Sequence, residues 1–393
     1  MDNKQFFEVL KRDAVSIFSE ETLLSKLESG RKLKIKLGAD PSRPDLHLGH
    51  SVVLRKLRAF QDLGHEVIFV IGDFTGMIGD PSGKSKARAP LTFEQTRQNA
   101  QSYLEQVSKI LDKEKTTITY NSEWLSKMNF ADVLSLAGKY TLARIMERDD
   151  FANRFRENKP IGLHEIFYPL MQGYDSVALH ADIEVGGTDQ TFNLLVGREL
   201  QKDYAQVPQD VITFPLLVGL DGIEKMSKSL DNYIGIYEAA EIMFEKCMKV
   251  PDSALPDYFR LTTDISDYSA DMREAHFEYA REIVRMYHGA EAVLAAEKRY
   301  LEVAAGKQPD TMEILTLPRQ AISIADLLCA ANFAASKSDA RRLIQGGGIK
   351  IDGKAVSDCA FVIDAENEIV VSRGKNRFIK ICFVKPEEGR NQA

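Results

Sequence analysis

Two histidines three residues apart, His47 and His50, stand where a loop rich in Pro and Gly gives way to an apolar-periodic run. The stretch is Lys36-Leu-Gly-Ala-Asp40-Pro-Ser-Arg-Pro-Asp-Leu-His47-Leu-Gly49-His50 and reads as strand, phosphate-facing loop, helix. A helix start presents free N–H groups and a positive dipole end, so anions settle there, and imidazoles add donors. A zinc pair is the weaker reading, since no Cys lies near and no Glu separates the histidines. About 175 residues further on, Lys225-Met-Ser-Lys228-Ser229 places two ammonium groups on a short turn, which on its own could equally be a solvated surface turn. A third cationic stretch, Gly79-Asp80-Pro-Ser-Gly83-Lys84-Ser-Lys86-Ala-Arg88, has three residues between its glycines where a Walker loop needs four. It remains a Gly-rich loop able to close over phosphates.

A second constellation carries no cations. Tyr168, Gln172 and Asp175 are spaced four and three, so on a helix they share a face. A surface helix with its polar residues in water fits that spacing too. It fits less well once Asp182-Ile-Glu-Val-Gly186-Gly187-Thr-Asp189-Gln190 follows, where a strand runs into two glycines that let backbone approach a ligand.

The elements that must hold these residues are legible in outline. Leu33, Ile35 and Leu37 alternate with Lys32, Lys34 and Lys36, a strand with its apolar face inward. Val53, Leu54, Leu57, Phe60 and Leu63 form a helical stripe ending at Gly64, and Val67–Ile71 is a continuous apolar strand. Strand, helix and strand with a right-handed crossover begin a nucleotide-binding α/β fold. Residues 3–30 read as one or two amphipathic helices, Thr92 with Gln95 as a capping box, and Thr116–Tyr120 as a further strand. Residues 121–160 are helical and charged, an insertion on the sheet, and residues 210–219 give the last strand. The expected division is a Rossmann-like parallel-sheet catalytic domain over 1–220, a mobile lysine loop over 221–235 and an α-helical domain over 236–310. A linker marked by Pro309 and Pro318 then leads to a small α+β module over 320–393.

Length bounds the chain at two or three domains, and an apolar content of 44% with 28% charge is globular. The four cysteines have no Cys-x-x-Cys spacing, no apolar signal core opens the chain, and no long apolar run follows, so a reduced cytoplasm and no membrane are expected. The net charge of −7 is uneven. From Pro318 onward 12 Lys and Arg oppose 9 Asp and Glu, which is +3, and the remainder is 39 against 49, which is −10. A basic end on an acidic body suits a polyanion partner at that end.

His47-Leu-Gly-His50 together with Lys225-Met-Ser-Lys228-Ser229 resembles the paired signatures of class I aminoacyl-tRNA synthetases. Tyr168-x-x-x-Gln172-x-Tyr174-Asp175, Gly-Gly-Thr-Asp189-Gln190 and Asp80 in Ile-Gly-Asp-Pro-Ser-Gly resemble the bacterial tyrosyl-tRNA synthetases along nearly the whole chain. The resemblance implies that Asp80, Tyr168 and Gln172 hold the ammonium of tyrosine and Asp175 its phenol hydroxyl. Asp40, Gly49, Asp189, Gln190 and Lys228 would face ATP. His47 and His50 would donate to its phosphates, and Lys84, Arg88, Lys225 and Lys228 would clamp the leaving pyrophosphate. Mg2+ would arrive with ATP, with no protein-held metal. The tail resembles a small RNA-binding module in which Lys337, Arg341 and Arg342 meet tRNA phosphates, although its spacing alone also suits a generic α/β appendage. The insertion is where two subunits of that family meet, so a homodimer is implied. Lys36 departs from the best-known branch, which has tyrosine there as a second hydroxyl contact, and matches a branch with lysine. A tryptophanyl enzyme of the same subclass and a non-catalytic RNA-binding paralogue are the rival readings.

Overall fold

The computed structural model describes residues 2–41, 46–80, 92–305, 307–309, 312–364, 368–374 and 377–384. The chain forms two compact units, Met1–Gly289 and Ala290–Ala393.

In the first unit α1 (Asn3–Asp13) and α2 (Glu20–Glu28) flank a short strand, β1 (Ser16–Phe18). There follow β2 (Lys34–Ala39), α3 (Leu48–Asp62), β3 (Glu66–Ile71), α4 (Thr75–Ile78), α5 (Phe93–Val107) and β4 (Thr116–Tyr120). Four short helices come next, α6 (Ser122–Leu125), α7 (Phe130–Ala137), α8 (Leu142–Ile145) and α9 (Asp149–Arg156). The chain then returns through α10 (Leu163–Leu179), β5 (Ile183–Gly187), α11 (Thr191–Asp203) and β6 (Asp210–Phe214). The sheet order is β1-β6-β5-β2-β3-β4, parallel except for β1, which runs antiparallel to β6. Chain order reverses between β2 and β5, and in such sheets the crevice at the strand C-termini at this point takes the ligand. Residues 67–71 are buried throughout, as a central parallel strand covered on both faces requires. The unit closes with α12 (Ala240–Cys247), α13 (Leu255–Thr262) and α14 (Met272–His288).

Three local expectations change. The N-terminal region holds β1 between its helices, a three-residue edge strand too short to show a period. The last strand ends at Phe214 rather than 219, because Pro215 follows and cannot donate to the ladder. Alternation in β2 does not put Lys36 in water, since its side chain is fully buried. Parallel register sets Lys36 opposite Glu184 on β5, and the two side chains pair at 2.8 Å.

The second unit opens with α15 (Ala290–Ala304) and β7 (Glu313–Pro318). It continues with β8 (Ile322–Ser323), α16 (Ile324–Ala330), α17 (Lys337–Gln345), β9 (Ile349–Ile351), β10 (Lys354–Ala355), β11 (Val362–Ile363), β12 (Ile369–Arg373) and β13 (Arg377–Val384). One sheet has the order β10-β9-β12-β13-β7, and β8 pairs with β11. The segment expected to be linker therefore contributes β7, an edge strand that turns Leu315 and Leu317 toward the core and ends on Pro318, where a missing N–H is tolerated. Asp352 and Gly353 both have positive φ, +48° and +78°, and make the two-residue turn of the β9–β10 hairpin.

Candidate active site

A cavity of about 530 Å3 opens at the C-terminal ends of β2, β3 and β5. The histidine and lysine motifs, far apart in sequence, meet at its mouth because the backbones of Leu46–Leu48 and Ile234–Ile236 pair. Leu48 N–H donates to Ile234 O at 2.9 Å, and Ile236 N–H donates to Leu46 O at 3.1 Å. Asn232 staples the lysine turn, accepting Ser227 N–H at 2.7 Å and donating to Asp221 at 2.6 Å and to Lys225 O at 3.2 Å.

His47 is the N-cap of α3, and its backbone N–H donates to His50 Nδ1 at 3.2 Å. Accepting at Nδ1 leaves the proton of a neutral His50 on Nε2. The imidazole of His50 is held down to about 4 by burial first and then by the charge of Lys228. His47 is held well below the usual histidine range by burial, by His50 and by both lysines. Both rings are therefore neutral single donors near pH 7, and a β carbon at Gly49 would lie 2.9 Å from the His47 ring, so any larger residue there would force that ring to shift. Lys225 Nζ lies 2.8 Å from Asp189 Oδ2, a partner for Asp189 that sequence did not suggest.

The floor holds the uncharged and acidic set. Asp40, just past β2, accepts from Thr75 Oγ1 at 2.7 Å and from the Tyr168 hydroxyl at 2.9 Å. Burial and the Asp40 charge push the Tyr168 phenol well above its ordinary range, so it stays a donor. Gln172 Oε1 is buried in the cavity wall with no hydrogen-bond partner among the described residues, an acceptor that a ligand ammonium could satisfy. Asp175 is nearly fully buried, and its carboxylate accepts from Trp124 Nε1 at 2.8 Å and from Asn121 Nδ2 at 3.4 Å. Burial raises it to about 7, against Lys36, Trp124 and Asn121, which lower it. Asp80 is engaged by Arg148 Nη2 at 3.2 Å and by Gln190 Nε2 at 2.9 Å.

The cavity thus gathers Asp40, His47, Gly49, His50, Asp80, Tyr168, Gln172, Asp175, Asp189, Gln190, Lys225 and Lys228. Lys84 and Arg88 lie outside the described residues. Lys337, Arg341 and Arg342 are in the other unit, exposed along α17, with Lys337 2.6 Å from Asp326 and Arg342 3.0 Å from Asp339. Sequence reasoning missed Arg148, Trp124, Asn121 and Thr75. Arg148 sat in a stretch read as a subunit contact, but it faces inward, pairing with Asp80 and with Asp150 at 2.7 Å. A lone Trp just after a strand was the only sequence signal for the Asp175 donors.

A family model described as "tRNA synthetases class I (W and Y)" matches residues 28–303, and one described as "Tyrosine--tRNA ligase SYY-like C-terminal domain" matches residues 302–381. The chain belongs to the tyrosine–tRNA ligases. Relatives bearing that name are 51% identical in Deinococcus radiodurans, over 96% of each chain, and 51% identical in Geobacter sulfurreducens, over 95% of this chain and 98% of that one. The Thermotoga maritima tyrosine–tRNA ligase is 48% identical over 97% of this chain and 98% of its own. Among solved structures, a C-terminally truncated mitochondrial tyrosyl-tRNA synthetase of Aspergillus nidulans superposes with a TM-score of 0.64 at 22% identity. It covers 76% of this chain and 94% of its own. The Archaeoglobus fulgidus tyrosyl-tRNA synthetase complexed with L-tyrosine gives 0.62 at 24% identity, over 75% of this chain and all of its own. These two share the fold. As a tyrosine–tRNA ligase of class I, the chain activates tyrosine with ATP and transfers it to tRNA, and the tryptophanyl and non-catalytic readings fall away. No described helix is long and apolar enough to cross a membrane.

Proposed function

We propose the following division of labour for tyrosine activation. The floor of the cavity takes the amino acid. Asp80, Tyr168 and the unpartnered Gln172 Oε1 receive the ammonium, and Asp175 accepts the phenol hydroxyl. The mouth takes ATP, with Asp189 and Gln190 toward the ribose and adenylate, Asp40 and Gly49 along the nucleotide, and His47 and His50 donating single N–H groups to the phosphates.

The tyrosine carboxylate is already ionised at neutral pH, so attack on the α-phosphorus needs no general base. The new C–O–P bond forms as pyrophosphate leaves, and the protein's work is positioning and stabilising the charge that grows on the phosphates. Lys225, Lys228, Lys84 and Arg88 supply that charge complement. Asp189 must exchange Lys225 for a ribose hydroxyl when ATP enters, which frees the ammonium for the leaving group. Mg2+ travels with ATP, held by its phosphates and by water rather than by a dedicated protein cage. The terminal adenosine hydroxyl of tRNA then attacks the activated carbonyl and adenylate leaves. Lys337, Arg341 and Arg342 on α17 bind the tRNA backbone.

Phe130, Leu134, Leu142, Phe155 and Leu163 are apolar, each more than half exposed, and all fall on α7 to the start of α10. An exposed apolar surface of this kind supports a homodimer in which a second copy of the chain covers it. A cytoplasmic setting follows the substrates, ATP and tRNA.

The observation that carries the reading is one cavity at the strand switch point with a hydroxyl-accepting floor and a cationic mouth. Equilibrium binding tests the floor. Asp175→Asn should weaken tyrosine by roughly tenfold to a hundredfold, the worth of a hydrogen bond to a charged group, and strengthen rather than weaken phenylalanine, since no buried carboxylate is then left without its donor. Equal weakening of both amino acids would contradict the assignment.

A further inference from the structure

Behind the cavity floor lies a charge pair that the activation chemistry leaves unused. Lys36 and Glu184 are cross-strand neighbours on β2 and β5, exposed by 0% and 1% in their side chains. The ammonium donates to two fixed acceptors, Ser176 Oγ at 2.8 Å and the backbone carbonyl of Gln172 at 3.1 Å, and its charge pairs with Glu184 Oε1 at 2.8 Å. Ser176 Oγ in turn donates to Glu184 Oε2 at 3.0 Å, and Gln209 Nε2 donates to the same oxygen. Lys36 does not line the cavity, whereas Gln172 and Asp175 do. A buried ion pair is a costly way to join two strands, since apolar residues of like volume often serve as well. What the pair does that an apolar pair cannot is hold α10 at Gln172 and Ser176, on either side of Asp175 in the chain, and supply a positive charge that favours the ionised form of that carboxylate.

We propose that Lys36 is a positioning residue for substrate choice, holding Asp175 in place and in its anionic form so that a phenol hydroxyl is required to satisfy it. This rests on Asp175 being the hydroxyl acceptor. An anionic, buried Asp175 penalises phenylalanine, which would leave it without its donor, more than a protonated one would. Charged and titratable groups face Asp175 from Lys36 on β2, Glu184 on β5 and Tyr168 on its own helix, and Trp124 and Asn121 are its neutral donors. Of the other elements packed on α10, α4 brings Thr75, α7 brings Asp132, which caps its own helix, and Tyr204 after α11 meets Tyr174 edge-to-face. With Asp175 near 7, burial and the Lys36 charge are opposed, and the balance is open to mutation.

The test is the ratio of kcat/KM for tyrosine over phenylalanine in ATP–pyrophosphate exchange, from pH 5.5 to 8.5. This ratio reports the free enzyme and cancels groups both substrates share. In the parent it should rise with pH through about 7. Lys36→Met removes a cation, so the midpoint should move up by about one unit, lowering selectivity at pH 7 up to tenfold and restoring it at high pH. Glu184→Gln removes the anion and keeps the shape, so the midpoint should move down. Lys36→Met/Glu184→Met removes both charges and should lie between them, and it carries the test with Glu184→Gln if Lys36→Met fails to fold. Opposite movements support the proposal, because a merely structural role would degrade selectivity alike at every pH. Midpoints that stay put, or move the same way in both single variants, overturn it. Parent selectivity that survives Asp175→Asn would instead overturn the hydroxyl-acceptor reading beneath it.

Discussion

Replacing Arg148 by Met should reveal how much of the site depends on a residue from the inserted helices. The guanidinium is 5% exposed and serves three acceptors, Asp80 at 3.2 Å, Asp150 at 2.7 Å and Asn193 at 3.2 Å. The side chains of Asp80 and Asp150 are 15% and 11% exposed, so methionine leaves two poorly solvated carboxylates facing each other. Breaking a buried pair from one side costs about 3–5 kcal/mol, and partial exposure puts this site at the lower end, about 3 kcal/mol. In a unit of this size that is a fall in thermal midpoint of roughly 6 °C. The loss has a sign in pH. Burial already holds Asp150 above the usual carboxylate range, against the pull of Arg148, and removing the arginine raises it further. A carboxyl whose folded pKa exceeds its unfolded value contributes stability below the unfolded pKa, near 4, and loses it as pH rises through the folded one. The deficit of Arg148→Met relative to the parent should therefore be small at pH 5 and full at pH 8. Differential scanning fluorimetry at both values reads it, and tyrosine affinity should fall alongside because Asp80 loses its anchor. Equal deficits at pH 5 and pH 8 would refute the electrostatic argument.

Lys228→Ala should slow adenylate formation in single-turnover experiments by two to three decades, about 3–4 kcal/mol, with tyrosine affinity almost unchanged, because the charge matters where phosphate charge develops. Trp124 is the chain's sole tryptophan and donates to Asp175, so its fluorescence should shift on titration with tyrosine and stay flat in the Asp175→Asn variant. A chain ending at Ala305 keeps every proposed activation residue; it should still form adenylate while tRNA charging drops and tRNA binding loses part of its salt slope. Phe155→Glu puts charge into the exposed apolar surface and should yield monomers by light scattering.

The sequence made the chemistry-bearing motifs visible because phosphate handling needs particular residue types at fixed spacing. His47 and His50 at a helix start, and the Tyr168, Gln172, Asp175 face, stand in one cavity, and the parallel sheet with its helices is as the strand–helix–strand pattern implied. What was illegible depends on contacts between distant segments. Lys36 looked like one of three lysines on a wet face, since alternation says nothing about a helix covering that face or about Glu184 lying opposite on a strand almost 150 residues away. Arg148 was hidden among charged helical residues whose inward or outward turn is decided by distant partners, here Asp80 and Asn193 on α11. β1 and β7 were lost because a three-residue edge strand and a proline-ended one carry too little period to stand out from their surroundings.

The central claim is that this cavity selects tyrosine and couples it to ATP. ATP–pyrophosphate exchange with the full chain, run separately with each of the twenty amino acids and without tRNA, tests it most directly. Exchange should require tyrosine, fall by at least a decade for phenylalanine and be absent with tryptophan. Exchange supported equally by phenylalanine or tryptophan, or none with tyrosine, would contradict the account.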